Sequence, residues 1–160
     1  MTKAVLSLGS NQGDRIKNLE LAFENIAEIA QTEILAKSQI FETDPIGGPE
    51  QEAYLNAMVL IETELVPQIL LAALQDIENL AGRTRETKWG PRTLDIDIID
   101  IEGFVSDDEE LQVPHPRAKE RRFVLQPMAE VSPQWLISGT SVLELLAQVT
   151  DQNVREWKQK

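Results

Sequence analysis

Apolar residues recur along this chain in two rhythms, a two-residue alternation that marks strands and a three-to-four-residue stripe that marks helices. Ala4, Val5, Leu6 and Leu8 form a first strand, and the turn residues Gly9, Ser10, Asn11 and Gly13 end it. Leu19, Ala22, Phe23, Ile26 and Ala30 then recur at helical spacing. Asp14 stands where an N-cap belongs, and Lys17, Glu20, Glu24 and Glu28 lie mostly off the apolar stripe. Glu33 to Thr43 has strand character and ends at Asp44-Pro45-Ile46-Gly47-Gly48-Pro49, a composition that predicts a surface loop.

Tyr54 to Leu65 predicts a strand with Leu55, Ala57, Val59 and Ile61 on one face and Tyr54, Asn56 and Met58 on the other. Pro67 suits the first turn of a following helix, with Ile69, Leu70, Ala73, Leu74 and Ile77 as its buried stripe. Gly82 is placed to end that helix in a left-handed conformation, and Gln75 and Glu78 share a face near its end. Arg83 to Pro91 has no period and predicts a mobile loop; Thr93 to Ile101 is β-like. Phe104 to Glu110 reads as an acidic turn, and Val113 to Arg122 as irregular around Pro114 and Pro116. Short helices are expected over Val124 to Glu130 and Val142 to Val149, the latter capped by Thr140 or Ser141. Together the elements predict an α+β fold in which helices cover a mainly antiparallel sheet, ahead of a doubly wound parallel sheet.

At 160 residues the chain has the length of one domain, expected to span 1–160. No apolar run approaches the ~20 residues of a membrane helix, and the first residues lack the apolar core of a secretory signal. A soluble, cytoplasmic monomer is expected, without a membrane partner. The absence of cysteine excludes disulfides, zinc-thiolate sites and cysteine nucleophiles. A net charge of −12 argues against nucleic acid as a partner, since polyanions are bound by basic surfaces. The bases are nonetheless clustered. None occurs from Ser38 to Gly82, whereas Arg83, Arg85, Lys88 and Arg92 form one group and Arg117, Lys119, Arg121 and Arg122 another.

Between those groups lies Asp95-Ile96-Asp97-Ile98-Ile99-Asp100-Ile101. Strand residues two apart project from one face about 6.6 Å apart, so Asp95 and Asp97 converge, while Asp100 has the opposite parity. Neighbouring carboxylates repel unless a proton or a cation is shared between them. Oxygen ligands alone suit Mg²⁺, with phosphates and water completing its octahedron; a solvated acidic strand face is the plain alternative. Arg92, His115, Arg121, Arg83 and Arg85 favour the phosphate reading, because arginine grips phosphate oxygens in a bidentate fork. No GxxxxGK[ST] loop is present, the Gly9 to Gly13 turn is structural first, and a single histidine makes no zinc site.

The stretch Lys88-Trp89-Gly90-Pro91-Arg92-Thr93-Leu94-Asp95-Ile96-Asp97-Ile98-Ile99 resembles the signature of the 6-hydroxymethyl-7,8-dihydropterin pyrophosphokinase family of folate biosynthesis. The resemblance continues at Leu8-Gly9-Ser10-Asn11, Thr43-Asp44-Pro45, Tyr54-Leu55-Asn56-Ala57, Ile77-Glu78 with Gly82-Arg83, Val113-Pro114-His115-Pro116 and Arg121-Arg122-Phe123. It implies a ferredoxin-like α/β sandwich that transfers diphosphate from ATP to 6-hydroxymethyl-7,8-dihydropterin, with two Mg²⁺ ions. By position Asp95 and Asp97 would hold the metals, Arg83 and Arg92 would stabilise the phosphates, and Arg85 and Trp89 would lie on a loop closing over the nucleotide. Gln75, Glu78, Ile98, His115 and Arg121 match nucleotide-binding positions. Thr43, Pro45, Ile46, Tyr54, Asn56 and Phe123 match the pterin pocket, with Trp89 and Asp95 near it. The departures from the family pattern are Glu110, Gln112 and Pro116, which bear on nucleotide contacts, Asp100, where apolar residues are frequent, and the loop Asp44 to Glu52, which differs slightly in length and lacks a basic residue.

Overall fold

The structure, a computed structural model, describes residues 1–44, 53–82 and 93–157. The first strand, β1 (Thr2–Ser10), leads into α1 (Arg15–Ala27), where the Asp14 side chain accepts the Lys17 N–H and caps the helix as expected. Two short strands follow, β2 (Thr32–Lys37) and β3 (Phe41–Thr43), then the long β4 (Tyr54–Thr63). Next comes α2 (Pro67–Leu80), with proline in its first turn and Gly82 beyond its end at φ +75°. β5 (Asp95–Ile101) precedes a hairpin of β6 (Ser106–Asp108) and β7 (Leu111–Val113). After a cis Val113–Pro114 bond and a 3₁₀ turn at Ala118–Glu120 comes α3 (Arg122–Val131). A small hairpin of β8 (Leu136–Ile137) and β9 (Thr140–Ser141) leads to α4 (Val142–Gln148), capped by Ser141, and the chain returns as β10 (Val154–Glu156).

The main sheet has six strands in the order β10-β3-β4-β1-β5, with β2 beside β4 below β3. Every pairing in it is antiparallel. This is the β-α-β-β-α-β arrangement of a ferredoxin-like fold, with its second strand split into β2 and β3. The parallel alternative is thereby set aside. Apolar residues on both faces of β1 and β4 demand cover on both sides. Ala4, Leu6, Leu8, Leu55, Val59 and Ile61 pack beneath Leu19 and Ile26 of α1 and Leu70, Leu74 and Ile77 of α2. Val5, Met58 and Ile99 pack against Val124, Leu125 and Met128 of α3 and Leu145 of α4. Each fully buried leucine or isoleucine contributes about 1.5–3 kcal/mol, so neither helix pair is dispensable. Among the described residues no helix is long and apolar enough to cross a membrane.

Several expectations are corrected. Gly9 and Ser10 belong to β1, because Gly9 pairs with both Asn56 and Asp95 and neighbours override its turn preference. Glu33 to Thr43 forms two strands, not one. Ile69 is 55% exposed, since the α2 stripe is narrower than its apolar content. The expected acidic turn forms the β6–β7 hairpin. The expected loop at Arg83 to Pro91 lies outside the described residues.

Asp100 does not take the expected opposite parity. The β1–β5 register runs Ser7↔Asp97 and Leu6↔Ile98, then skips to Val5↔Asp100, so Ile99 is a bulge. The extra residue reverses parity, and Asp100 shares the face of Val5, Asp95 and Asp97. There it is buried, taking the Trp135 indole N–H at 2.8 Å on Oδ2 and the Ile101 N–H at 2.9 Å on Oδ1. Burial raises its carboxyl above the ordinary 3.8, and the two donors pull it back. Ionisation of Asp100 therefore costs folded stability as the pH rises through its raised pKa. Trp135→Phe removes one donor and is expected to destabilise the fold by about 1–3 kcal/mol at neutral pH. The deficit should disappear as the pH falls to the ordinary carboxylate range; urea unfolding at both pH values checks it, and a pH-independent deficit would reduce Trp135 to packing.

Candidate active site

Four strands set out the site in one row. Phe41, Asn56, Gly9 and Asp95 are register partners across β3, β4, β1 and β5, and residues paired in this way share a face. At the strand spacing of about 4.8 Å, Asn56 and Asp95 stand roughly 10 Å apart with only Gly9 between them. A Cβ on Gly9 would lie 3.3 Å from Asn56 Oδ1 and 3.6 Å from Tyr54 Cδ1, so the absence of a side chain keeps this floor flat. The adjoining pairs Thr43↔Tyr54 and Ser7↔Asp97 extend it on either side.

On the β3–β4 side the floor joins polar and aromatic side chains. The Asn56 side chain is buried and donates from Nδ2 to Thr43 Oγ1 at 2.8 Å, which fixes the amide and leaves its carbonyl above Gly9. Tyr54 is half-buried beside it. Phe123, the second residue of α3, is half-buried against the second core, and the Arg121 guanidinium lies 5.4 Å over its ring. Pro45 and Ile46, expected in the same pocket, lie outside the described residues.

On the β5 side Asp95 is half-buried and Asp97 exposed. The expectation that they share a face holds, because the bulge comes after them. Among the described residues no His, Cys or third carboxylate joins them in a metal-binding group. Two oxygen-only donors suit Mg²⁺, which keeps most of its coordination positions for water and phosphate oxygens.

Among the described residues β5 is the last strand of the sheet, and side-chain and loop groups meet its outer edge. Glu78 is buried and accepts the Ile96 N–H at 2.8 Å, while the His115 N–H donates to Ile99 O at 2.7 Å. Glu78 thus holds the residue between the two aspartates. Gln75, expected to share its face, is exposed, because α2 meets β5 at Glu78 and not at Gln75. Ile98 lies two residues from Ile96 and presents its backbone edge the same way, into an open cleft of about 240 Å³. Leu71, Ile96, Ile98 and Leu111 supply apolar walls, and Asp97, Glu109, Glu110, Gln112, His115 and Pro116 the polar rim.

His115 Nδ1 accepts the Arg117 N–H at 3.2 Å, which leaves the proton of a neutral ring on Nε2. Burial, with the Arg121 and Arg117 charges, holds the imidazole below its ordinary 6.5. Arg121 is itself pushed down by burial and by Arg117, and drawn back by Asp97 and Glu120. Arg83, Arg85, Trp89 and Arg92 lie outside the described residues. Sequence reasoning missed Leu71, Glu109 and Leu111; Glu109 and Leu111 stand just before the Val113-Pro114-His115-Pro116 motif, and Leu71 lies one helical turn before Gln75 on α2. It also read Gly9 as a turn, although the Leu8-Gly9-Ser10-Asn11 motif marked the place.

The family profile described as 7,8-dihydro-6-hydroxymethylpterin-pyrophosphokinase (HPPK) matches residues 5–133. A 2-amino-4-hydroxy-6-hydroxymethyldihydropteridine pyrophosphokinase of Bacillus subtilis is 45% identical over 98% of this chain and 91% of its own. One of the same name from Methylorubrum extorquens is 44% identical over 93% and 94%. Among solved structures, an HPPK-DHPS in complex with substrates aligns with a TM-score of 0.71 at 14% identity, over 94% of this chain and 44% of that one. Wild-type HPPK-DHPS of Plasmodium falciparum gives 0.74 at 15%, over 94% and 43%. The chain thus spans less than half the length of those solved proteins, and they share its fold. The profile takes in the Gly9 row, both aspartates and His115, and the curated relatives match nearly end to end: the chain belongs to the 7,8-dihydro-6-hydroxymethylpterin-pyrophosphokinase family.

Proposed function

We propose that this protein transfers a diphosphate unit from ATP to the hydroxymethyl group of 6-hydroxymethyl-7,8-dihydropterin and releases AMP. The observation that carries the reading is the Asn56–Gly9–Asp95 row, which puts a pocket for a flat heterocycle and a pair of carboxylates on one face. The pterin lies on the Gly9 floor between Tyr54 and Phe123, its amide-like edge exchanging hydrogen bonds with Asn56 and Thr43. The adenosine enters the cleft beside β5. There the backbone N–H and C=O of Ile98 match the amidine edge of adenine, and His115 Nε2 offers a donor.

Asp95 and Asp97 would hold the magnesium, two ions by the family resemblance, and the metal would supply charge neutralisation on the phosphate oxygens. Arg121 adds a cation between nucleotide and pterin, and Arg83 and Arg92 are proposed to stabilise the phosphates, with Arg85 and Trp89 beside the nucleotide. The pterin hydroxyl oxygen bonds to the β-phosphorus as the bond from that phosphorus to the α-bridging oxygen breaks. The hydroxyl proton passes to solvent water, and AMP leaves with the α-bridging oxygen and the electron pair of the broken bond. Residues 1–160 are read as one catalytic domain acting in the cytoplasm as a monomer on small molecules, without nucleic acid or membrane. The net charge of −12 and the absence of cysteine support that setting.

Chromatography of ATP products tests the activity: AMP should appear only when pterin is present, in equal amount with the diphosphorylated pterin. AMP formed without pterin would make this a nucleotide hydrolase, and bound ATP without AMP a binding module. Asp95→Ala or Asp97→Ala is expected to cut turnover at least a hundredfold while leaving the melting temperature unchanged or slightly raised. Wild-type turnover at saturating Mg²⁺ would refute their role. Gly9→Ala should raise the KM for pterin about tenfold with little change for ATP, since the new methyl displaces Asn56. An equal loss for both substrates would mean general disruption of the sheet.

A further inference from the structure

On the face of the sheet opposite the pterin floor, two arginines from distant parts of the chain converge on β3. Glu42 pairs in register with Leu55, whose side chain is in the first core, and with Arg155 of β10. Arg155 Nε donates to Glu42 Oε1 at 3.0 Å, and its Nη2 donates to Asp44 Oδ1 at 3.1 Å. Arg15, the first residue of α1, reaches the other oxygen of Glu42 at 3.5 Å and donates to the Ala53 carbonyl at 2.9 Å. One carboxylate is thereby shared by two guanidinium groups. The same groups hold Asp44, where the chain leaves β3, and Ala53, where it arrives at β4.

β3 has three residues and owes its place to the strands on either side. Its last residue is Thr43, the hydroxyl that orients the Asn56 amide. Thr43 stands between the two acids that Arg155 holds, and Val154 pairs with it from β10. β10 lies beyond residue 133, where the family profile ends. We propose that the Arg15–Glu42–Arg155–Asp44 network is a clip that positions Thr43 and Asn56 for the pterin, with Arg155 as a positioning residue. The inference rests on the pyrophosphokinase reading. None of the four side chains needs to touch either substrate. Their effect is to fix β3 before the pterin arrives, so that binding does not bear the cost of ordering it.

The clip predicts a selective defect. Arg155→Ala should raise the KM for pterin roughly three- to tenfold, with the KM for ATP unchanged and kcat within about twofold, at a temperature well below melting. Asp44→Asn, at a side chain 68% exposed, should move the pterin KM in the same direction by less. Arg155→Lys should restore part of the loss by keeping the Glu42 pair. Raising the ionic strength should carry the wild-type pterin KM toward that of Arg155→Ala and leave the variant's own value in place. Folded Arg155→Ala with an unchanged pterin KM, or with equal rises for both substrates, would overturn the clip. Should Arg155→Ala fail to fold, Asp44→Asn decides: an unchanged pterin KM there overturns it equally. An inactive wild-type chain would instead be a failure of the activity reading, and an active one matched by Arg155→Ala a failure of the clip alone.

Discussion

Between Asn56 and Asp95 the middle strand carries no side chain. Gly9 pairs with both residues, and a methyl group there would come within 3.3 Å of the Asn56 carbonyl oxygen. The two halves of the site depend on that vacancy. A larger residue would raise a wall between the Asn56 amide and the carboxylates and remove the flat floor on which the proposed heterocycle lies. β1 can spare the side chain because it is the central strand, with eight other residues paired to β4 and buried neighbours on both faces. The permissive residue thus sits where the surrounding sheet is most constrained.

The carboxylates are set by a different device. β5 is an edge strand, and an edge left open would fray or pair with another chain. Here Glu78 and the His115 backbone occupy it, on either side of the segment that carries Asp97 and Ile98. Glu78 is a buried acid that accepts a backbone N–H, a contact that holds the strand between Asp95 and Asp97. The Ile99 bulge then turns Asp100 into the second core, where the Trp135 indole receives it. A run of three acids in seven residues is in this way divided, two facing the site and one serving the fold.

Much of this was legible in the residues because the signals are local. The Asp14 cap, the first-turn Pro67, the left-handed Gly82 and the i, i+2 convergence of Asp95 and Asp97 each follow from neighbours within a few positions. What escaped depends on partners far along the chain. Gly9 and Ser10 have turn composition, yet long-range pairing makes them strand. Parity misplaced Asp100 because a bulge inserts one residue without leaving a pattern. Gln75 and Glu78 lie three apart on one helix, and only the position of β5 decides that one of them is buried. β10 is three residues long, too short for any periodicity, and the clip it completes joins residues more than a hundred positions apart.

Pterin and metal that meet on one face across Gly9 lie close enough for a paramagnetic probe to read the contact directly. With Mn²⁺ in place of Mg²⁺ and a non-hydrolysable ATP analogue bound, proton relaxation of the pterin should show strong Mn²⁺-dependent broadening of the hydroxymethyl protons. Asp97→Ala should remove that broadening. Hydroxymethyl protons untouched by Mn²⁺ in the full complex, or broadened to the same degree without Asp97, would contradict the shared face.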